Sequence, residues 1–322
     1  MAKISIVIPV YNAENFIVHI LDKIYEQTFQ NFELICVNDG STDNTKNILE
    51  NYALKRNNMI VVNQNNGGIG NAANLGISYA SGKYLAYLEH DDSLVSNNAF
   101  EILYDTAEKH DLEILSFNFS TEKEISKLNQ PINKVITGKE YLLGSYHPAP
   151  WCKFYNLSYI NKINFKFRED LRFADTESYP RLMIDAKRVM HIENVLYVMR
   201  IAVNKNSVSD TIMNIESAEA FAQTAITYSE IIDKETQGTP LVKALKKQRM
   251  QALIPAARIL GSINTEKSRK IYSHILSLSL SKFELYLVKN EYNFFYYKFV
   301  KKEAKIRHPF IYLVRKARKF II

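Results

Sequence analysis

The chain has 322 residues, of which 47% are hydrophobic and 23% charged, so it is not wholly disordered and has the size of one large or two smaller globular domains. Of its net charge of +7, residues 298–322 contribute +8, with nine Lys or Arg and one acid, and the other 297 residues sum to −1. A basic domain that binds nucleic acid is therefore not indicated. Cys36 and Cys152 show neither zinc-type nor disulfide-framework spacing.

The N-terminal sequence MAKISIVIPVYN lacks the long apolar region and the cleavage site of a secretory signal. No segment reaches the roughly 18 uninterrupted apolar residues that a transmembrane helix needs. We therefore expect a cytoplasmic protein, or one bound peripherally at the cytoplasmic face of a membrane.

Strand and helix signals alternate over the first hundred residues. Strands are predicted in KISIVIPVY, FELICVNDG, MIVVNQN and KYLAYLEHDD, and the segments between them space apolar residues as helices do. Repeated βα units indicate an α/β fold with a mostly parallel sheet, whose ligands are expected beyond the carboxyl ends of the strands.

Polar residues cluster at these predicted strand ends, at positions 11–12, 38–43, 64–68 and 89–92. A solvated loop would explain any one of these clusters. Four at the same edge of a parallel sheet indicate a site.

The pattern becomes less regular from about residue 97 to residue 210. After residue 210 the sequence is helical in character and rich in Lys, Tyr and Phe. We therefore predict a domain over residues 1–210 and a C-terminal helical region over residues 211–322.

The sequence GGIGNA offers a possible dinucleotide fingerprint. Gly68, Gly70 and Ala73 form GxGxxA, and Glu89 follows about 20 residues later. That fingerprint belongs on the first βα turn of a fold, whereas here it lies on the third. A nicotinamide-dependent oxidoreductase is therefore the weaker interpretation, because a loop entering a helix explains the glycines equally well.

Five separated motifs, in this order and spacing, resemble those of the inverting glycosyltransferase family 2: SIVIPVYNAENFI, FELICVNDGSTDNT, NNGGIGNAANLGISYASGKYLAYLEHDD, WCKFYN and RFADTESY. The resemblance covers roughly residues 3–210. It implies a GT-A fold, a Rossmann-like, mostly parallel sheet with a nucleotide-sugar-binding half (1–97) and an acceptor half (98–210). It also implies sugar transfer from a UDP-sugar to a hydroxyl of a lipid-linked or cell-surface glycan, as in capsule or lipopolysaccharide synthesis.

The resemblance also implies donor-site residues. Pro9 and Tyr11 would line the uracil site, and Asp39 would accept from uracil N3–H, although a turn or helix-cap role is the alternative for Asp39. Asp91 would bind Mn²⁺ or Mg²⁺, and Glu89 stands where the family has the first aspartate of its DxD motif, with a contact to the donor expected.

The general base of such a reaction is implied in RFADTESY, where Asp175 holds the expected position. Asp170, in a literal ED pair, and Glu177 are the alternatives. The resemblance further implies that Trp151 and Lys153 bind the acceptor, the tryptophan by stacking on a sugar, although packing alone would also explain Trp151.

Three departures from the family pattern concern these sites: Ala73 replaces an arginine, Glu89 replaces an aspartate, and Ala174 replaces a glutamate. They keep open a non-catalytic relative that binds nucleotide sugars or glycans. A bifunctional polymerase is less expected, because only one set of motifs is present.

The C-terminal sequence HPFIYLVRKARKFII has an apolar helical face and basic residues on other faces. Such a helix can lie on an anionic membrane surface. Packing on the catalytic domain or on another subunit of an oligomer is the alternative. A further segment, with Arg200, Lys205 and Ser207, fits either a loop that closes over the diphosphate or a solvated loop.

Overall fold

A computed structural model describes residues 2–121, 123–126, 128–144, 147–200, 214–263 and 265–296 of the chain. It divides into two compact units, Met1–Asp210 and Thr211–Ile322. Each unit is described by itself below. The predicted amphipathic tail and the predicted loop residues Lys205 and Ser207 lie outside the described residues.

The N-terminal unit is built on one sheet of eight strands in the order β3-β2-β1-β4-β7-β6-β8-β5. The strands are β1 Ile4–Val10, β2 Phe32–Asp39, β3 Met59–Gln64, β4 Tyr84–Tyr87, β5 Ser93–Leu94, β6 Ile114–Ser120, β7 Lys153–Asn156 and β8 Val189–Val198. Its helices are α1 Ile17–Tyr25, α2 Thr45–Ala53, α3 Ile69–Tyr79, α4 Ala99–Lys109, α5 Gly138–Tyr141, α6 Leu157–Lys162 and α7 Ala174–Ile184.

The first four strands form the predicted parallel half of the sheet. β1 lies between β2 and β4 and is buried along its whole length, which explains its continuous apolar sequence. β3 continues the parallel pairing beyond β2. The mixed α/β architecture predicted from the alternating pattern is therefore confirmed.

The second half of the sheet is not parallel throughout, which is why its sequence pattern is less regular. β7 runs antiparallel to both β4 and β6, and β8 pairs parallel with β6 but antiparallel with β5. The register between β6 and β8 shifts twice, around Asn118. A shift of register moves side chains from one face to the other, so strict alternation is lost along these strands.

Helix α3 packs directly on the parallel strands through a glycine. A Cβ atom added at Gly76 would collide with Val7 of β1 and approach Val37 of β2 to 3.2 Å. The absence of a side chain thus brings the helix backbone close to the sheet, and with it the polar segment that precedes the helix.

The C-terminal unit consists of α-helices in its described residues: α8 Ile215–Lys234, α9 Pro240–Ser262, α10 Glu266–Ser277 and α11 Lys282–Phe295. Alanines of α8 and α9 form much of the buried core, and small side chains allow close helix approach. Side chains of Asn214, Thr239, Thr265 and Ser281 accept backbone N–H groups at the helix starts. None of the helices that the structure describes is both long and apolar enough to span a membrane.

Candidate functional site

The segments that follow β1 and β2 are joined by hydrogen bonds. Asn12 Oδ1 accepts from the Thr42 backbone N–H at 2.8 Å, and the Asn12 N–H donates to Ser41 Oγ at 3.0 Å. Pro9 is buried in β1, whereas 44% of Tyr11 is exposed just beyond it. An exposed ring at the carboxyl edge of a parallel sheet can contact a planar ligand.

Asp39 joins the end of β2 to the segment between β3 and α3. Its Oδ1 accepts from Gln64 Nε2 at 2.6 Å and from the Gly67 N–H at 2.8 Å, and its Oδ2 accepts from the Gly68 N–H at 2.9 Å. The side chain is 3% exposed. A carboxylate has about four acceptor sites, so about one remains for a further donor.

The glycines of GxGxxA have structural explanations in this fold. Gly68 has φ +86°, a conformation that favours glycine, where the chain enters α3. A Cβ atom at Gly70 would lie 2.6 Å from the carbonyl oxygen of Arg168. Close approach of a loop, together with a left-handed turn, accounts for the pattern without a bound dinucleotide.

His90 connects the segment after β4 to β1. Its Nδ1 lies 3.3 Å from the carbonyl oxygen of Pro9, which can only accept, so the ring proton is on Nδ1. Among the residues that the structure describes, the buried Nε2 has no hydrogen-bond partner. Burial lowers the pKa of His90, which keeps the ring neutral. This contact joins the segment after β4 to β1, and hydrogen bonds join the other three polar clusters to one another.

The segment from Glu89 to Asp92, here called the 89–92 turn, carries three carboxyl groups. Burial raises the pKa of Glu89 well above its usual range, and the charges of Asp92, Asp91 and Asp175 raise it further. Burial also raises the pKa of Asp92 to about 7, although its Oδ2 and Oδ1 accept from the Tyr197 hydroxyl and the Arg200 N–H. The turn therefore concentrates acidic groups in a partly buried place.

Asp175 lies in the first turn of α7 and faces the same charged region. Burial raises its pKa, while hydrogen bonds from the Thr176 and Asp175 N–H groups and the charge of Lys153 oppose the rise. Asp175 and Glu89 interact electrostatically although 86 positions separate them in the sequence. The fold thus brings an acid from α7 to the end of β4.

The two alternative acids are paired with arginines. Glu177 is buried, and Arg181 donates to both of its oxygens, at 2.9 and 2.6 Å. Arg168 donates to both oxygens of Asp170 at 2.8 and 2.6 Å, and these hydrogen bonds lower the pKa of Asp170. The lowered pKa makes Asp170 a weaker proton acceptor, and Glu177 is held in an ion pair.

Lys153 and Trp151 are both buried in this structure. The Lys153 ammonium, in a side chain 2% exposed, donates to the carbonyls of His147 and Ala149 at 2.9 and 2.7 Å and lies 3.5 Å from Cys152 Sγ. Trp151 is 7% exposed and stacks on Tyr197. Their acceptor-binding roles stay predictions, since Lys153 would have to exchange a partner and one face of Trp151 is covered.

The described residues contain no group of three or more His, Cys, Asp or Glu side chains arranged to hold a metal ion. The acidic oxygens of the 89–92 turn are nevertheless hard ligands of the type that Mg²⁺ and Mn²⁺ prefer. Mg²⁺ commonly takes one or two carboxylates, with phosphates and water supplying the rest. Asp91 and Glu89 therefore fit a metal shared with a diphosphate.

Comparison with known proteins places these features in a family. Residues 5–166, half of the chain, match the model described as Glycosyl transferase family 2. An uncharacterized glycosyltransferase of Bacillus subtilis, EpsJ, is 32% identical over 219 residues, which make up 64% of this chain and 63% of that protein. The chain therefore aligns with less than two thirds of this relative's length.

Solved structures share the fold. TarS 1–349 from S. aureus has a TM-score of 0.64 at 16% identity, covering 95% of this chain and 93% of that one. The mannosyltransferase PcManGT from Pyrobaculum calidifontis, in complex with GDP-Man and Mn2+, has a TM-score of 0.57 at 15% identity, covering 95% and 88%. The predicted GT-A fold is confirmed.

Proposed function

This chain belongs to glycosyltransferase family 2, and from that membership we propose that it moves a sugar from a UDP-sugar to a hydroxyl of a glycan, with inversion at the anomeric carbon. The observation that carries the proposal is the match of residues 5–166 to the family model. The charge of Asp175 in α7, which adds to burial in raising the pKa of Glu89, supports an acid near the turn that would face the donor. TarS has been solved with UDP-GlcNAc, which supports a uridine nucleotide.

The donor base is proposed to bind at the ends of β1 and β2. The exposed ring of Tyr11 and the buried Pro9 would line the uracil site. Asp39 would accept from uracil N3–H with its remaining acceptor site, while Gln64 and the two glycine N–H groups keep its carboxylate in place. The same hydrogen bonds give Asp39 a part in holding the segment before α3.

The diphosphate is proposed to lie at the 89–92 turn. Asp91, with Glu89 as a second acid, would hold a Mn²⁺ or Mg²⁺ ion there. Such an ion supplies Lewis-acid neutralisation of the leaving diphosphate. The nearby charges of Asp92 and Asp91, which add to burial in raising the pKa of Glu89, support a cation at this place.

Asp175 is proposed to be the general base. The acceptor oxygen forms a bond to the anomeric carbon as the bond from that carbon to the diphosphate oxygen breaks, UDP leaves with the bonding electrons, and the acceptor proton passes to Asp175. Burial raises the pKa of Asp175 toward neutral pH, and a general base works best when its pKa lies near the working pH. Asp170 and Glu177 are each paired with an arginine, which supports the choice of Asp175.

The acceptor is proposed to be a lipid-linked or cell-surface glycan, on the cytoplasmic side of a membrane. Two properties support this: the relatives include a minor teichoic acid biosynthesis protein, GgaB of Bacillus subtilis, 39% identical over 113 residues, and the basic charge of residues 298–322 suits an anionic membrane surface.

The experiment is Asp175→Asn, with Asp170→Asn as the matched control. UDP release from a panel of UDP-sugars, with water or added glycan as acceptor, should fall by about 10²- to 10⁴-fold in Asp175→Asn, whereas UDP binding in Mn²⁺ should persist. Asp170→Asn should stay near wild type. Equal activity in both variants would contradict the assignment. UDP binding by the wild type without turnover of any sugar would favour a non-catalytic relative.

A further inference from the structure

We propose that Tyr197 is a positioning residue for the 89–92 turn and that it holds Asp91 in the orientation needed for the metal and the diphosphate. This inference rests on the function proposed above. Tyr197 lies near the end of β8 and is 105 residues from Asp92, so no local sequence motif contains both. It does not reach the substrate itself in this proposal, and it acts through the two ends of the turn.

A single hydroxyl group contacts both ends of the turn. The Tyr197 hydroxyl donates to Asp92 Oδ2 at 2.7 Å and accepts from the Glu89 backbone N–H at 3.1 Å. Glu89 and Asp92 are the first and last residues of the turn, and Asp91 lies between them. Fixing both ends restricts the backbone dihedrals that set the direction of the Asp91 side chain.

The Tyr197 ring is itself held by packing. Tyr197 is fully buried, and its ring stacks on Trp151 with centroids 4.7 Å apart and an interplanar angle of 13°. Trp151 in turn packs edge to face on Phe119 of β6, at 4.7 Å and 89°. These two aromatic contacts fix the Tyr197 ring and so the position of its hydroxyl. A residue that supports a metal ligand needs such fixed packing.

A second strand-end contact strengthens the same arrangement. The Arg200 backbone N–H donates to Asp92 Oδ1 at 2.8 Å, so both oxygens of Asp92 accept from the end of β8 and the residues just after it. The donors at the end of β8 and just after it therefore hold the Asp92 carboxyl group at both of its oxygens, next to Asp91.

The test is Tyr197→Phe, which removes the hydroxyl and keeps the ring. Tyr159→Phe is the matched control: Tyr159 is also buried in the N-terminal unit, at 3% exposure, and its hydroxyl donates to the Leu182 carbonyl at 2.7 Å. By calorimetric titration with UDP in Mn²⁺, Tyr197→Phe should bind about tenfold more weakly than wild type or more, and the control should match wild type. In titrations with UDP and no metal ion, the affinities of the two variants should differ much less.

Hydrogen exchange gives a second measurement that does not depend on ligand. Loss of the acceptor should speed exchange of the Glu89 amide in Tyr197→Phe, with the effect confined to peptides that cover the 89–92 turn. Faster exchange spread over the whole sheet would overturn the inference, as would UDP affinity in Mn²⁺ equal to that of Tyr159→Phe. If wild-type protein bound no UDP, the proposed function would fail together with this inference.

Discussion

The C-terminal unit contains a buried ion pair, and replacing its acid should destabilise the unit strongly. Arg249 is fully buried, and its Nη2 donates to Glu284 Oε1 at 2.7 Å. Its Nη1 donates to Ser229 Oγ at 3.0 Å. The substitution Glu284→Gln keeps the size of the side chain but leaves the arginine charge without an opposite charge at that position.

The expected cost is about 3–5 kcal/mol in the free energy of unfolding, the range for removing one partner of a buried pair. Glu284 also completes a capping box at the start of α11, with Oε2 accepting from the Ser281 N–H at 2.8 Å. Glutamine can serve in that box, so the cap contributes little to the difference. The magnitude therefore comes from the arginine, whose side chain has no exposed surface through which water could replace the carboxylate.

The pH dependence has a definite sign. Burial alone would raise the pKa of Glu284, but hydrogen bonds from Arg249 and Ser281 hold it below its usual range. The contribution of the pair is thus complete above the unfolded pKa near 4.5 and is lost as pH falls through the lower folded value.

The assay is urea unfolding of the full-length protein, followed by far-ultraviolet circular dichroism. Glu219→Gln is the control, since Glu219 pairs with Lys267 at 2.6 Å while 42% and 54% of the two side chains are exposed, and it should cost less than about 1 kcal/mol. If Glu284→Gln and Glu219→Gln proved equally stable at neutral pH, the argument from burial would be wrong.

Two further predictions concern the N-terminal unit. His191 is 1% exposed, and burial lowers its pKa to about 4. The unit should therefore lose up to about 3 kcal/mol of stability as pH falls from 6.5 toward 4. Urea unfolding followed by Trp151 fluorescence should show this loss, and His191→Gln should reduce it. Asn74 Nδ2 donates to the Phe167 carbonyl at 2.9 Å and to Glu169 at 3.0 Å. Asn74→Asp should therefore destabilise the N-terminal unit by about 1–3 kcal/mol, because the new carboxylate would face two hydrogen-bond acceptors. Unchanged stability in the same assay would contradict that contact.

The parallel half of the sheet follows from the sequence because each of its strands is a mostly apolar run followed by polar residues. The polar clusters after β1, β2 and β4 could be placed at one edge for the same reason, since carboxyl ends of parallel strands meet there. β7 and β8 were not predictable in this way. Their pairing partners are distant in the chain, and the register shifts around Asn118 remove the alternation that would reveal them.

Choosing among the acids of the acceptor half needed the tertiary structure. The sequence offers Asp170, Asp175 and Glu177 within eight positions, and each has the chemistry of a base. Asp175 is supported as the base because its surroundings are buried, whereas Asp170 and Glu177 are each paired with an arginine. Those surroundings depend on how α7 packs, which spacing along the chain does not specify.

The sequence by itself determined the fold family, the polar edge of the parallel sheet and the acidic turn after β4, because each is encoded in a short stretch of residues. Only the tertiary structure decided which groups hold that turn. The Tyr197 hydroxyl reaches Asp92 across 105 residues, and the Tyr197 ring stacks on Trp151 and covers one face of it. Contacts of this kind arise when distant strands become neighbours, so no local pattern records them.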